Sequence, residues 1–434
     1  MGKLIKVVAF FILILFSGFG YGQTQKAINI QNQDALLQKI QSKFSALQVQ
    51  SIRPAEGYIK YDYLIPAGFY KQMWDWDGFF IGCHLASESK ENAKYLKWWV
   101  LNFANSADST GYVPGCITIR GPRPIFGKFA MKPFLSQGAF LASKRMNDFS
   151  WITPAVYQEL KNVLSYREQT QYDKKYHLFF WDNGGESGAD NSVVLTNDKN
   201  DPDAIIGVDI NTFQYREYVS MSKIAARLGR MSDVSIYKAK ASELKNDMMK
   251  YLWFSKDHSF FNIRRDKGKA IKRVSYSNFV PLIEGSQFLS EKEGREMIKK
   301  YLLNKEYMNA PFGFRSLSKQ DVGYNNKAII DPYSNWQGPI WINANYLYYT
   351  ALKKYGFIQE ANELSTILAK VVLKDIESCG SMHEDYNADT GEPLSPTAAQ
   401  SENGIFTGFV GWNLLVENML EESYKGKPLM LDLN

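Results

Sequence analysis

The sequence predicts an all-α protein built from paired helices, and three observations lead to this fold class. The 434 residues are 45% hydrophobic and 22% charged, which is typical of a packed globular protein. Apolar residues recur at steps of three and four over long stretches, as they do on one face of a helix. Strong β patterning is not sustained anywhere. Because a helix pair cannot bury its apolar face alone, the pairs are expected to pack side by side or to close into a ring.

The first 22 residues have the organisation of a signal peptide. Lys3 and Lys6 precede an apolar run at 7–16, and Gly20 and Gly22 follow at the spacing of a cleavage site. The run is too short for a transmembrane helix, and no later stretch looks membrane-spanning. We therefore expect an exported protein, periplasmic or secreted, in which residues 23–434 form a single domain.

Helices are expected along most of the remaining chain. In chain order they cover Asp34–Leu47, Phe80–Asn105, Pro133–Met146, Thr212–Trp253, a segment beginning at Ser290 and Trp341–Leu373. Ser290 and Glu293 have the spacing of a capping box, which marks a helix start. Gly229 and Gly356 interrupt two of the longer patterns, so 212–253 and 341–373 are each predicted to be a helical hairpin.

Charge and cysteine content do not point to nucleic acid or to a metal. Removal of residues 1–22 takes away two lysines and no acids, so the formal charge falls from +6 to +4 (6 − 2). The basic segment 264–273 could contact nucleic acid or an anionic glycan, but a solvated hairpin connection accounts for it better. The three cysteines are Cys83, Cys116 and Cys379. They lack CxxC spacing, so one disulfide and one free thiol remain open.

Metal ligation is not predicted from the histidines or from the acidic loop. The histidines His84, His177, His258 and His383 are scattered, and none has a ligand-spaced partner. The oxygen-rich segment 196–204 could bind calcium but lacks the glycine and terminal glutamate of an EF-hand, so a polar surface loop is preferred. No GxSxG nucleophile elbow is present.

Four stretches rich in aromatic and acidic residues interrupt the helix pairs. They contain Trp74, Trp76 and Asp77 at 69–80, Glu186 and Asp190 at 184–192, Trp336, Gln337 and Trp341 at 331–341, and Glu384, Glu402 and Trp412 at 382–412. Aromatic rings stack on the C–H faces of sugars, whose hydroxyl groups bond to acids and amides. Glycoside hydrolysis needs two carboxyl groups and no metal or cofactor. Each stretch alone could equally be packing, a helix cap or a turn, but together they favour a shared cleft.

The ordered motifs resemble a known group of enzymes over roughly Tyr58 to Leu420. WDWDGFF, GYVPG followed by Arg120, ESGADNS, GVDINTF, NWQGPIW, HEDYN and FVGW occur in the order found in the trehalase and processing α-glucosidase group, glycoside hydrolase families 37 and 63. Within it, the chain is most similar to the mannosylglycerate-hydrolase-like proteins.

This resemblance implies an (α/α)6 barrel, a toroid of six helical hairpins with the active site in loops at one end. It also implies an inverting, exo-acting hydrolase of α-linked glucosides or mannosides. Matched by motif, Asp190 is the general acid and Glu384 the general base. Trp76 and Asp77 hold the sugar, with Trp74, Trp336, Trp341 and Glu402 as further walls. Asp190 is then expected to stay protonated near neutral pH and Glu384 to stay ionised.

The chain departs from the group in ways that bear on its substrate. Gln337 stands where many relatives have arginine, so one sugar or aglycone contact is weakened or replaced. The trehalase-type glycine-rich stretch and the accessory β domain of the larger glucosidases are absent from the motif series, which argues against trehalose and large glycans. Arg120 or Arg123 could bind an acidic aglycone such as glycerate, or could be structural. A non-catalytic carbohydrate-binding homologue and a polysaccharide lyase remain the alternatives.

Overall fold

A computed structural model of the protein describes residues 31–67, 70–123, 130–181, 184–195, 204–329, 334–395, 400–402 and 405–434. The predicted signal peptide and most of the acidic segment 196–204 lie outside these residues. Within them, no helix has both the length and the apolar character required to cross a bilayer.

Thirteen helices run through the described residues. They are α1 (31–47), α2 (Asp75–Glu88), α3 (Ala93–Ala104), α4 (Leu135–Met146), α5 (Pro154–Thr170), α6 (Gly184–Ser187), α7 (Val208–Arg227), α8 (Met231–Tyr251), α9 (Tyr276–Phe279), α10 (Glu291–Met297), α11 (Ile342–Lys354), α12 (Ile358–Cys379) and α13 (Leu415–Tyr424). A 3-10 segment, Val280–Gln287, continues α9.

Six of these helical segments form a closed inner ring. α2 packs on α4, α4 on α7, α7 on the 3-10 segment after α9, that segment on α11, α11 on α13, and α13 again on α2. Their partners in the outer layer are α3, α5, α8, α10, α12 and α1. The arrangement is the (α/α)6 barrel, as the sequence predicted, and α1 and α13 bring the two ends of the described chain together at its closing seam.

Burial separates the two layers. Every residue of α11 from Ile342 to Leu352 is buried, whereas α8 buries little more than the stripe formed by Val234, Tyr237, Ala241, Leu244 and Met248. A helix that is apolar or buried all round lies inside a protein, and one with a single apolar stripe covers it from outside. The inner ring thus forms the core.

The predicted hairpins are confirmed, and one helix prediction is wrong. α7 with α8 and α11 with α12 lie at the predicted positions, and Ser290 caps α10 by accepting from Glu293 N at 3.3 Å. The single helix expected over 80–105 is instead two, because α2 begins at Asp75 and the chain turns at 89–92. α5 was not predicted, although Thr153 at its N-cap and Pro154 at its first position signal a helix start.

The strands are short and lie in the connections between helices. They are β1 (Ile52–Arg53), β2 (Tyr63–Leu64), β3 (Met73–Trp74), β4 (Cys116–Thr118), β5 (Gly121–Pro122), β6 (Tyr172–Asp173), β7 (Leu178–Trp181), β8 (Ile205–Ile206), β9 (Trp253–Phe254), β10 (Ser259–Phe260), β11 (Ile263–Arg264), β12 (Asn309–Ala310), β13 (Gly313–Phe314), β14 (Gln400–Glu402) and β15 (Ile405–Thr407). The largest described sheet has four strands in the order β11-β8-β7-β6. It carries the chain into α6 and the segment containing Asp190.

Two open points from the sequence are answered by the fold. The basic segment 264–273 is a turn region whose Arg265, Lys272 and Arg273 form ion pairs with acids elsewhere in the chain. Its charge is therefore partly neutralised, which favours the structural interpretation. All three cysteines are free thiols.

Candidate active site

The start of α2 places the WDWD motif at one end of the ring. Trp74 ends β3, which pairs with β4 through Cys116, and the chain enters α2 at the next residue. The carboxylate of Asp75 accepts hydrogen bonds from the backbone N–H of Lys132 at 2.7 Å and from its Nζ at 3.1 Å. Both partners are buried. Asp75 therefore forms a buried ion pair with Lys132, so Asp77 is the acid of this motif that can contact a substrate.

A glycine lets the backbone before Asp190 pack against Trp76. Gly188 has a φ of +79°, and a Cβ at this position would lie 2.7 Å from Cζ2 of Trp76 and 2.8 Å from Cε of Lys132. The Lys132 ammonium lies 5.1 Å from the centre of the Trp76 ring. The space that a side chain would need at Gly188 is thus filled by an indole ring and a lysine side chain.

Asp190 is held by the segment 334–337. Ser334 Oγ donates to its Oδ2 at 2.8 Å. The neighbouring Asn191 accepts from Trp336 N through Oδ1 at 2.6 Å, and its carbonyl accepts from Gln337 Nε2 at 2.9 Å. The Gln337 amide oxygen also accepts from Asn325 at 3.1 Å. Gln337, predicted to bind substrate, thus has both ends of its amide engaged, one with the Asp190 loop and the other with Asn325.

Glu384 lies at the same site, although it is almost two hundred residues further along the chain. The Tyr70 hydroxyl lies 3.2 Å from both of its carboxylate oxygens and donates to them. Glu384 is 5% exposed. Burial is the main reason that the pKa of Tyr70 and the pKa of Glu384 are raised. The negative charges of Asp77 and Asp190 add to both shifts, so these four side chains lie close enough to interact as one cluster.

A buried carboxylate of α12 anchors the loop that carries Glu384. Asp375 accepts from the backbone N–H of His383 at 2.8 Å, from His383 Nδ1 at 3.0 Å and from the Tyr386 hydroxyl at 2.9 Å. Tyr386 also pairs with Ile340 as an isolated bridge. The residues before and after Glu384 are therefore tied to one helix, so the position of its backbone is set by Asp375.

Burial raises the pKa of each carboxyl group in the cluster, and repulsion from neighbouring acids adds to the shift at Asp77 and Glu384. The pKa of Asp77 rises to about 8 through burial and the nearby charge of Asp75, against the effect of Lys132. The pKa of Asp190 rises to about 6 through burial, although Ser334 and Lys132 oppose the shift. Burial and then the charges of Asp385, Asp77 and Asp190 raise the pKa of Glu384 well above its usual range.

The shift at Glu384 differs from the sequence expectation. Asp190 was expected to hold a proton near neutral pH, and its raised pKa agrees in direction. Glu384 was expected to stay ionised, but in the unliganded protein its pKa is raised well above the usual range. The physical reason is that Glu384 is buried and has three acidic neighbours.

The predicted aromatic residues form one stacked group below Trp76. Trp336 and Trp341 stack at 4.3 Å with their planes 9° apart, and Trp76 contacts Trp336 at 5.7 Å. Trp412 closes the group, at 5.5 Å from Trp76 and 5.9 Å from Trp341. Trp336 and Trp341 are each 1% exposed, compared with 7% for Trp76. Trp336 and Trp341 therefore have little surface for a ligand to contact, and their stacked rings pack beneath Trp76 instead.

The other predicted binding residues have different positions. Trp74 is partly exposed and contacts the Tyr70 ring edge-on at 6.3 Å. Arg120 is exposed in the tight turn between β4 and β5, and its side chain has no partner within the described part of the chain. Glu402 belongs to β14, but its side chain lies outside what the structure describes.

Several residues of the site were not singled out from the sequence. Tyr70 lies within the first aromatic-acidic stretch, so its type and place were a usable signal. Lys132 and Ser334 carry no such signal, because each acts through a partner far away in the chain. Asp375 carries none either, because its role depends on how the segment after α12 folds back onto it. Trp412 was noted in the fourth aromatic-acidic stretch but was given no role.

Two groups of described side chains have the composition of a metal site. One contains Asp375, Cys379 and His383, and the other His84, Glu88 and Glu417. In the first group the Asp375 oxygens already accept from His383 and Tyr386, which accounts for it as an anchor. The second group is remote from the carboxyl cluster, since His84 and Glu88 lie at the far end of α2.

Comparisons with known proteins agree with this fold. The model of the mannosylglycerate hydrolase MGH1-like glycoside hydrolase domain matches residues 70–403. A crystal structure of the mannosylglycerate hydrolase of Thermus thermophilus, a family 63 glycoside hydrolase in complex with Tris and D-glycerate, superposes with a TM-score of 0.66 at 16% identity. It covers 89% of this chain and 100% of that one. The neutral trehalase of Saccharomyces cerevisiae superposes with a TM-score of 0.60 at 14% identity, over 83% of this chain and 74% of that one.

Sequence similarity to curated proteins is more limited in extent. A probable mannosyl-oligosaccharide glucosidase of Schizosaccharomyces pombe is 28% identical over 160 residues, which cover 34% of this chain and 18% of that protein. The chain therefore spans less than a fifth of this relative's length.

Proposed function

Because the chain belongs to the mannosylglycerate hydrolase MGH1-like family of glycoside hydrolases, we propose that it is an exported, inverting, exo-acting hydrolase of small α-linked glucosides or mannosides. Export rests on the signal-peptide pattern of residues 1–22, and mass spectrometry of the secreted or periplasmic protein should find Gln23 as its first residue. A protein retained with Met1 would contradict export.

One observation carries the proposal. Asp77, Asp190 and Glu384 come from three distant segments, and all three have raised pKa values at the end of a helical ring. Trp76 lies beside them. Isolated structural carboxylates are rarely gathered without cations, because their repulsion costs stability, whereas general acid and base catalysis needs such groups. The buried Lys132 is already paired with Asp75 and offsets only part of the charge.

In the proposed mechanism Asp190 protonates the glycosidic oxygen and Glu384 removes a proton from the attacking water. Inversion requires space for that water, so the two carboxyl groups should stand about 6.5–9.5 Å apart. Asp77 binds sugar hydroxyl groups, and Trp76 packs on the ring. Tyr70 donates to Glu384 and so stabilises its ionised form.

The raised pKa of Glu384 gives this mechanism a specific pH dependence. The reactive form has the proton on Asp190 and not on Glu384, and burial raises the pKa of both groups. Activity should rise as the pair loses its first proton and fall as it loses the second. A bell-shaped profile is expected, because activity requires the pair to hold one proton.

A hydrolysis panel tests the activity. Purified residues 23–434 would be assayed against α-linked glucosides and mannosides, including trehalose and glycosylglycerates, with the anomeric product read by NMR. We expect release of a β-anomer, and losses of about a thousandfold or more in Asp190→Asn and Glu384→Gln. Asp233→Asn is the control, because Asp233 bonds to Tyr157 in the outer layer.

The panel also distinguishes the alternatives. An unsaturated sugar product would identify a lyase, and sugar binding without turnover would identify a binding protein. Near-wild-type turnover in either carboxyl variant would overturn the assignment of that residue.

Glycosyl fluorides separate the two roles. Fluoride leaves without a proton from an acid, so Asp190→Asn should keep much of its activity on an α-glycosyl fluoride while Glu384→Gln loses it. The reverse pattern would exchange the two roles.

A further inference from the structure

A second cluster of ionisable side chains lies at the opposite end of α2 from the carboxyl groups. His84 and Glu88 are four residues apart on α2, and Glu417 comes from α13. One ligand atom from each lies within 4.8 Å of the others. The eleven residues from Asp77 to Glu88 correspond to about 16 Å along a helix. This cluster is therefore separate from the proposed active site.

Hydrogen bonds determine which nitrogen of His84 carries a proton. Ser87 Oγ donates to the His84 carbonyl at 2.7 Å, so its lone pairs accept from Asn418 Nδ2 at 2.5 Å. The Asn418 amide oxygen then faces His84 Nδ1 at 2.8 Å. Because an amide oxygen only accepts, Nδ1 must be the N–H donor. In the neutral imidazole, Nε2 therefore presents its lone pair.

Every group that faces Nε2 is itself an acceptor. Gln48 Oε1 lies 3.3 Å away, and Glu88 Oε1 lies 3.8 Å away. The other Glu88 oxygen accepts from Asn92 at 3.0 Å and from the Gln48 amide nitrogen at 3.4 Å, which keeps Oε1 directed at His84. A lone pair, two carboxylates and an amide oxygen that face one point have the ligand types of a cation site.

No lysine or arginine in the described parts of the chain supplies that cation. The nearby Lys427 pairs with Glu421 at 2.7 Å, and Lys425 pairs with Asp34. Among the described residues, Glu88 forms an ion pair with His84 itself and with no lysine or arginine. His84 is 1% exposed and Glu417 5%, so water screens these charges poorly.

We propose that His84 Nε2, Glu88 Oε1 and a Glu417 oxygen bind a divalent transition metal ion, with the Gln48 amide oxygen as a fourth ligand. One imidazole with carboxylate and amide oxygens suits borderline ions such as Zn²⁺ or Mn²⁺. The bond from Nδ1 to Asn418 is the outer-shell contact that metal-binding histidines commonly make.

The position of the ion gives it a structural role. Gln48 follows α1, His84 and Glu88 end α2, and Glu417 begins α13, so the ion would join the first and last helices where the ring closes. More than three hundred residues of sequence separate Glu417 from Gln48, His84 and Glu88. Binding to the folded state alone would stabilise this seam.

Metal binding is measured on untagged protein that has been treated with a chelator and dialysed. Titration with ZnCl₂ or MnCl₂ should show one equivalent bound, and the Tm should rise by about 3 °C at a hundredfold excess over Kd. Glu417→Gln should abolish both effects. Cys379→Ser should leave them unchanged, because it alters the cluster beside Glu384.

Cobalt distinguishes the ligand sets. Co²⁺ bound by nitrogen and oxygen should show weak visible bands without the intense near-ultraviolet band of a thiolate ligand. The proposal is overturned if no ion binds, if Glu417→Gln still binds one equivalent, or if binding is lost in Cys379→Ser. None of these results depends on hydrolytic activity.

Discussion

Single side chains of the site obtain their environment from partners far away in the sequence. Glu384 accepts a hydrogen bond from Tyr70, and Asp190 accepts one from Ser334. The motifs indicated which carboxyl groups belong together. Motifs could not indicate that the pKa of Glu384 is raised, because its burial and its closeness to Asp385 and Asp77 come from the assembled fold.

Gly188→Ala tests how tightly the Asp190 loop packs. The new Cβ would collide with the Trp76 ring and the Lys132 side chain at a positive φ, so we expect a loss of about 2–4 kcal/mol of unfolding free energy and reduced kcat. Gly229→Ala is a matched control, with a φ of +70° and open space around it. It should cost about 1 kcal/mol and leave kcat unchanged. Equal effects of the two changes would contradict the packing argument.

At the scale of secondary structure, helices position the site by anchoring the loops between them. The helices α7, α8, α11 and α12 were visible in the sequence, because their apolar residues recur at steps of three and four. The break between α2 and α3 was not, since apolar residues continue through both helices. The loop that carries Glu384 has no pattern of its own and depends on α12.

Asp375→Asn tests this anchor. Asparagine keeps the size of the side chain but offers one acceptor in place of two, so His383 or Tyr386 loses its bond. We expect kcat to fall about ten- to a hundredfold with KM nearly unchanged, and the pH profile to shift as Glu384 moves. Asp233→Asn, which weakens a bond to Tyr157 in the outer layer, should alter neither kcat nor the pH profile. A fall in Tm with unchanged kinetics would show that Asp375 acts on stability alone.

At the scale of the whole molecule, the ring gathers acids at a cost in stability. The pKa of Asp190 is raised to about 6 in the folded protein, compared with about 3.9 for an unfolded chain. A raised pKa means that folding binds a proton, so the contribution of Asp190 to stability is present below pH 4 and is lost as pH rises to 6. The same direction holds for Asp77 and Glu384.

Asp190→Asn should therefore stabilise the protein at neutral pH. We expect its Tm at pH 7.5 to exceed that of the wild type by roughly 2–4 °C, and the difference to vanish near pH 4, where the carboxyl group is protonated in both states. Asp148→Asn should have the opposite effect, because hydrogen bonds from Ser150 lower the pKa of Asp148. A lower Tm for Asp190→Asn at pH 7.5 would show that its carboxylate is not strained in the folded protein.

The sequence by itself determined the helical hairpins and the order of the motifs, and the resemblance it carries extended these to the (α/α)6 barrel and the candidate pair Asp190 and Glu384. Periodicity and motif order are local properties, so one chain read in order is enough to see them. The tertiary structure decided that Gln337 supports the Asp190 loop and that Asp375 anchors Glu384.

The tertiary structure alone also brought Glu417 to His84, more than three hundred residues earlier in the chain. His84 and Glu88 share one helical face in the sequence, but two side chains on one helix do not define a cation site. Contacts of this kind depend on which helices become neighbours when the ring closes. That choice is made by the burial of the whole apolar core, which no local pattern records.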